Sequence, residues 1–309
     1  MFFIFLTFCR TVVVEDCVFF SLSLGTGHGG AIKIDSDSVG LEIKKSVFYC
    51  CRASGNGGAI YSLCANISLN QVCAFSCMTT AINTESQFAY FFAYKLGILR
   101  ISDTSITKCP NNTNVDNRYH TLYLVNGTHN VCGTNISDSQ IRHVVLTFYR
   151  SIEASFSYST VSKCSITTVT AIYVHYHEKS HLFSRLNILS NTQGDTNYGL
   201  LYYQTKSSQN KYNECVISRN TNNLFYISEG TIDMAGCYIN HPSTKIMISI
   251  GSGNTLTDTN THISTIQLAH FSSHVCSAEF SFVPPSAIPN SLSILWGSTI
   301  HLFTLLLSK

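Results

Sequence analysis

The phrase Gly-Gly-Ala-Ile occurs at Gly29-Gly30-Ala31-Ile32 and returns at Gly57-Gly58-Ala59-Ile60, 28 residues later. A phrase that returns at such a period marks stacked repeats, each burying its apolar face against its neighbours. Weaker copies follow at 80–82, 121–125, 144–148, 170–174, 199–203, 223–227 and 245–248, mostly at intervals of 22 to 29 residues. The interval between Ala81 and Leu122 is longer, and its residues 88–96 make another half-turn or a loop. A second unit alternates with the first. Its apolar residues lie two apart, and it closes on apolar-x-x-Cys or apolar-x-x-Asn. Phe48 leads to Cys51, 101–109 ends in Cys109, 156–164 in Cys164, 188–191 in Asn191, and 217–220 in Asn220. Residues 231–239 are a looser copy.

Apolar alternation at period two, rich in Val, Ile, Thr, Tyr and Phe, is the pattern of strands. No stretch sustains helical periodicity, so helical solenoids are rejected. The expected fold is all-β: a single-stranded, right-handed parallel β-helix of roughly ten rungs over 11–268, followed by a C-terminal hydrophobic segment. Each strand pairs with its counterpart about 4.8 Å along the axis. Gly-Ala pairs suit bends where backbones approach closely. The register predicts Ala31, Ala59 and Ala81 in one column. It also predicts that Cys51, Cys109 and Cys164 point inward, at a rung position otherwise taken by Asn.

Charged residues make up 12% of the chain, about half the usual share, and Ser, Thr and Asn take their place. The net charge is +2 and no Lys/Arg run occurs, so nucleic acid is not an expected partner. The 13 cysteines form no Cys-x-x-Cys knuckle, which argues against zinc and for disulfides outside the cell. Their odd number requires at least one thiol unpaired within the chain. Sequons at Asn66, Asn111, Asn126 and Asn135 are candidate N-glycosylation sites.

The ends differ from the repeats. Residues 1–10 are an apolar segment, read as a short signal or as a first strand. They lack a basic n-region and a small-residue cleavage site. Repeat-like sequence begins at Val12, as in a chain that starts within a longer array. Residues 269–287 read as a linker that ends near Pro284 and Pro285. The tail, 288–309, is hydrophobic, and 291–307 carries no charge. Its length is near the short limit of a membrane span. A membrane anchor is the favoured reading. A cleaved lipid-anchor signal and a cap on the last rung are the alternatives.

Gly-Gly-Ala-Ile with Phe-x-x-Asn resembles the repeat pair of polymorphic outer-membrane autotransporter passengers. The chain is more similar to right-handed β-helix surface proteins of parasitic flagellate protists, with Cys in place of Asn and Tyr/Asn-rich rungs. The resemblance covers 12–268 and is sharp at 29–32, 57–60 and 48–51. It implies adhesion or contact with a glycan or host-surface protein. No membrane barrel follows, as an autotransporter would require.

Parallel β-helices also include polysaccharide hydrolases and lyases. Gly27-His28-Gly29 resembles a motif of polygalacturonases, but the paired carboxylates of glycoside hydrolysis are missing. Asp35 and Asp37 alternate on one strand without a partner motif. His175, His177 and His181, with Glu178, have a spacing that could hold a metal; a polar outer face is the simpler account. Tyr202, Tyr203, Tyr212 and Tyr226 form either an aromatic stripe for sugar or a filling for rungs. The expectation is a non-enzymatic cell-surface or secreted protein with no catalytic residue, cofactor or metal. A degenerate pectin-lyase-like enzyme and a structural spacer are the alternatives.

Overall fold

The computed structural model describes residues 11–81, 84–94, 96–111, 119–175, 179–195, 197–240, 247–249, 255–256, 266–268, 270–271, 276 and 281–282. The expected strand at Ile82 falls partly outside these residues, as do His177, Glu178 and the terminal segments 1–10 and 288–309.

Among the described residues the chain is all-β, and every strand pairing is parallel. It winds as a β-solenoid with three principal faces. On the first face Ile32–Lys44 lies on Ile60–Asn70, followed by Ala89–Ala93, His120–Val125, Val144–Tyr149, Thr170–His175, Leu201–Asn213 and Phe225–Ala235. The longest strands continue onto the second face, where Ile98–Ser102, Thr128–Cys132, Glu153–Ser157 and His181–Ser184 complete the stack. The third face is a nine-stranded sheet running from Val18–Phe20 to Tyr238–Asn240. Its nine strands mark nine described coils, against the roughly ten rungs the repeat predicted.

In-register pairing turns sequence alternation into columns. Ile32, Ile60, Ala89, Leu122, Leu146, Ile172, Leu201 and Phe225 form one inner column. Phe19, Phe48, Ala74, Ile106, Ile136, Val161, Ile188 and Ile217 form another on the third face. All are buried and belong to one continuous core. Burying a large aliphatic side chain stabilises by about 1.5–3 kcal/mol, so the core is the main cohesive term.

The Gly-Gly pairs serve a corner. Gly57 has φ +69, and a Cβ on Gly58 would lie 2.1 Å from the Gln87 carbonyl oxygen and 2.5 Å from that of Met78. Gly29 and Gly30 repeat the arrangement one coil earlier, with φ +68 at Gly29. Ala31 N–H donates to Ala59 O, but Ala59 N–H donates to Phe88 O. The third member of that column is therefore Phe88, and Ala81 lies in an insertion before it. Gln87 pins the insertion by accepting the Thr79 N–H at 3.1 Å and donating to Thr79 Oγ1 at 2.8 Å. The Thr-Ala-Ile at 80–82 imitates the repeat phrase at a position the coil uses for a loop.

The second unit also differs from its expected form. Instead of one strand over 101–109, Ile98–Ser102 and Ser105–Thr107 are separated by Asp103 at φ 45. Glu153–Ser157 and Thr160–Ser162 likewise flank Tyr158 at φ 48. Left-handed residues turn the chain from face to face without disturbing the apolar alternation that suggested one strand.

A further series of left-handed residues, including Cys50, Lys108, Lys163, Ser190 and Arg219, precedes a buried column. That column holds Cys51, Cys77, Cys109, Ser139, Cys164, Asn191 and Asn220. Cys77 N–H donates to Cys109 Sγ at 3.2 Å, and Cys109 N–H to Ser139 Oγ at 3.2 Å. Cys164 N–H donates to Asn191 Oδ1 at 3.0 Å, and Asn191 N–H to Asn220 Oδ1 at 2.9 Å. The same side chains donate toward the preceding coil: Cys51 Sγ–H to Phe19 O, Asn191 Nδ2–H to Val161 O, and Asn220 Nδ2–H to Ile188 O. Each rung position needs one acceptor and one donor, and Cys, Ser and Asn all supply both.

The ladder makes two predictions. Asn191→Leu leaves the buried Cys164 N–H without its acceptor and should cost about 2–3 kcal/mol, read as a lower urea midpoint. Cys51, Cys109 and Cys164 are at most 1% exposed, and burial pushes the Cys164 thiol up to about 12. They should resist alkylation in the folded chain while the exposed Cys132 reacts. Equal labelling rates at all four would contradict this inward placement.

Candidate functional site

The outward column of the first face is Lys33, Tyr61, Tyr90, Tyr123, Thr147, Tyr173, Tyr202 and Tyr226. Parallel strands in register repeat at about 4.8 Å, a distance at which offset rings stack. Tyr61 and Tyr90 have ring centroids 5.2 Å apart at 19°, and Tyr173 and Tyr202 are 4.7 Å apart at 27°. Tyr90 and Tyr123 meet edge to face at 5.4 Å, as do Tyr202 and Tyr226 at 4.8 Å. Thr147 interrupts the column, and neighbouring rings bridge the gap. His120 stacks on Tyr123 at 4.3 Å and shares a 2.6 Å hydrogen bond between Nδ1 and Thr147 Oγ1. Tyr149 contacts Tyr123 at 5.8 Å and His175 at 5.0 Å, and His175 contacts Tyr173 at 5.0 Å.

The result is a continuous aromatic ridge parallel to the solenoid axis. It begins at His28, stacked on Tyr61 at 4.5 Å, and ends at Tyr226. Because many rings stack on one another, the ridge presents ring edges and hydroxyls more than ring faces. Tyr173 donates its hydroxyl to Gln204 Oε1 at 3.0 Å.

Burial keeps several phenols and imidazoles of the ridge neutral near pH 7. Burial pushes the Tyr61, Tyr90, Tyr123 and Tyr202 phenols up, so they remain protonated donors. Burial, with repulsion from His143, takes His120 down to about 3. Burial and then Arg142 take His143 down to about 4. His175 also falls to about 4, chiefly through burial, although its hydrogen bond with Gln204 opposes the shift.

The four tyrosines singled out in the sequence divide by parity. Tyr202 and Tyr226 stand on the ridge, whereas Tyr203 and Tyr212 are fully buried inside the coil. Tyr61, Tyr90, Tyr123 and Tyr173 were missed as members of the stripe. The signal was present, because each sits one residue after an inner-column residue.

The other candidates do not converge. His28 Nδ1 accepts the Asn56 N–H at 2.8 Å, and burial lowers its pKa. That bond gives His28 a part in holding its turn. Asp35 and Asp37 are exposed on the strand Ile32–Lys44. His175 faces outward, whereas His181 is 1% exposed and its Nε2 lies 3.1 Å from Ser151 Oγ, so the two do not share a metal position. Among the described residues no group of three His, Cys, Asp or Glu could hold a metal ion. Asn66 and Asn111 are exposed, and Asn126 is partly exposed at a left-handed position. Asn135 is 1% exposed, which leaves no room for a glycan on this conformation.

No family model, no curated protein and no solved structure matches the chain.

The depressed histidines predict an acid-sensitive coil. In the unfolded chain they gain protons as pH falls through about 6.5, while in the folded chain they remain neutral until about 3–4. Stability should therefore fall as pH drops from about 6.5 toward 4, and His120→Gln should flatten that dependence. Urea midpoints at stepped pH test it, and an unchanged slope in the variant would remove His120 from the account.

Proposed function

We propose that the protein is a non-enzymatic cell-surface or secreted solenoid that contacts glycan through the aromatic ridge from Tyr61 to Tyr226. The carrying observation is the in-register outward column Tyr61, Tyr90, Tyr123, Tyr173, Tyr202 and Tyr226. Ring edges and phenol hydroxyls suit polyhydroxylated ligands, which offer apolar C–H patches beside hydrogen-bonding groups. The disulfide between Cys73 and Cys276 supports an oxidising compartment. The repeat resemblance to protist surface proteins supports an adhesive role by analogy. Attachment through the tail at 288–309 belongs to the same proposal. Among the described residues no helix is long and apolar enough to cross a membrane, and the tail lies outside them.

Binding to an array of neutral and acidic oligosaccharides tests the reading. The wild-type chain should retain at least one glycan class. Replacing Tyr173 and Tyr202 together by Ala should weaken that binding by about 30-fold, the effect of losing an interface hot spot. A chain that retains no glycan, or a double variant that binds as well as wild type, would overturn the assignment.

A further inference from the structure

The third face carries an outward column of Cys73, Ser105, Asn135, Thr160 and Asn187, one from each of five successive strands. Their neighbours Ala74, Ile106, Ile136, Val161 and Ile188 fill the core, so these side chains point away from it. Yet all five are at most 1% exposed.

The C-terminal segment covers them. Asn187 Nδ2–H donates to Ile266 O at 2.7 Å, and Ile266 N–H donates to Asn187 Oδ1 at 3.0 Å. The side-chain amide thus engages both polar groups of one residue's backbone, as a neighbouring strand would. Thr160 Oγ1 lies 2.7 Å from His270 Nε2, and His270 Nδ1 lies 3.3 Å from Gly133 O. Ser105 Oγ–H donates to the Phe271 carbonyl. Cys276 then closes a disulfide with Cys73. In chain order Ile266, His270, Phe271 and Cys276 meet the strands of Asn187, Thr160, Ser105 and Cys73, one after another back along the coil. Within the stretch read as a linker, His270, Phe271 and Cys276 therefore lie against the coil.

Three hydrogen bonds reach the backbone of Ile266 and Phe271, and the His270 ring adds contacts to Thr160 and Gly133 that only the native sequence supplies at that place. Among the described residues no group pairs with Nδ2 or Oδ1 of Asn135, in the middle of the column. This amide retains the capacity to engage one more peptide group in the manner of Asn187. Buried amides without partners are costly, and a site that binds extended backbone gives this one a use.

We propose that this column is a peptide-binding groove, engaged here by Ile266, His270, Phe271 and Cys276 and able to take the same segment from a second copy when the Cys73–Cys276 disulfide opens. The exchange is thiol–disulfide chemistry. A small thiolate attacks Cys276 Sγ, forming a mixed disulfide there and releasing Cys73 as a thiolate. That thiolate attacks the Cys276 mixed disulfide of a second copy, forms the intermolecular S–S bond and expels the small thiolate. The product is a pair of coils joined strap to groove, by exchange of an existing element.

The test uses the full-length Cys276→Ser chain, in which Cys73 is a thiol. A synthetic peptide of residues 264–278, its cysteine activated as a pyridyl disulfide, is offered beside a scrambled peptide with the cysteine at the same place. Attack by Cys73 releases pyridinethione, which gives the rate, and peptide mapping confirms the residue modified. The native peptide should couple to Cys73 about tenfold faster or more, and urea should abolish the difference. Asn187→Ala should remove most of the advantage. If circular dichroism shows that variant unfolded, Thr160→Val serves in its place. Equal rates for the two peptides would overturn the groove. No coupling at Cys73 of the folded chain would overturn its capacity to take a second strap.

Discussion

Parallel pairing in register, repeated coil after coil, is the constraint on which the rest of this structure depends. It fixes the rise per rung at about 4.8 Å and stacks each residue on its equivalent. One consequence is the core, whose columns of Ile, Leu, Val and Phe form one cluster from Val12 to Cys237. A second is the aromatic ridge, whose ring separations of 4.7 to 5.4 Å along the tyrosine column follow from the strand repeat. A third is the hydrogen-bonded column of Cys, Ser and Asn. Core, ridge and polar ladder are three uses of one periodicity.

Register must survive the corners, and there the coil carries its greatest backbone cost. Asp103, Lys108, Tyr158, Lys163, Arg185, Glu214 and Arg219 all have positive φ, although none is glycine. A left-handed residue of this kind costs about 1–2 kcal/mol. The neighbouring coils offset it with hydrogen bonds that continue the strand pairing through the bend. Asp103 N–H donates to Cys132 O, Tyr158 N–H to Ser184 O, and Lys163 N–H to Leu189 O. The polar ladder beside these turns also explains why the repeat looks blurred. Ser139 carries the same hydrogen-bonding capacity as Cys109 and Asn191, yet shares the letter of neither.

That blur sets what was legible in the sequence. Alternation and spacing revealed the parallel solenoid, because both follow from residues close in the chain. The Ala81 assignment failed because an insertion of loop residues preserved a Thr-Ala-Ile look-alike, while the true third copy begins with Phe88 and Ala89. Tyr202 and Tyr203 show the value of parity: adjacent residues, one on the ridge and one in the core. The burial of Asn135 was hidden for a different reason. What covers its column lies 79 residues or more away in the chain, and no local pattern announces it.

The covering segment also changes the kind of object the coil is. In a solenoid each repeat touches its neighbours, so stability is close to a sum of local terms and ends can fray independently. The strap crosses that arrangement. It touches the strands of Asn187, Thr160 and Ser105 and is bonded to that of Cys73, so it links coils as far apart as those of Cys73 and Asn187, which are not paired with each other. The disulfide spans 203 residues of sequence. In the chain-entropy account, closing so long a loop removes about 5 kcal/mol worth of freedom from the unfolded chain. Coils between Cys73 and Asn187 are thus tied into one cooperative block, while those before Cys73 depend on neighbour contacts alone among the described residues. The ridge from Tyr90 to Tyr173 lies on that block, so the strap on one face helps hold the ring spacing on another.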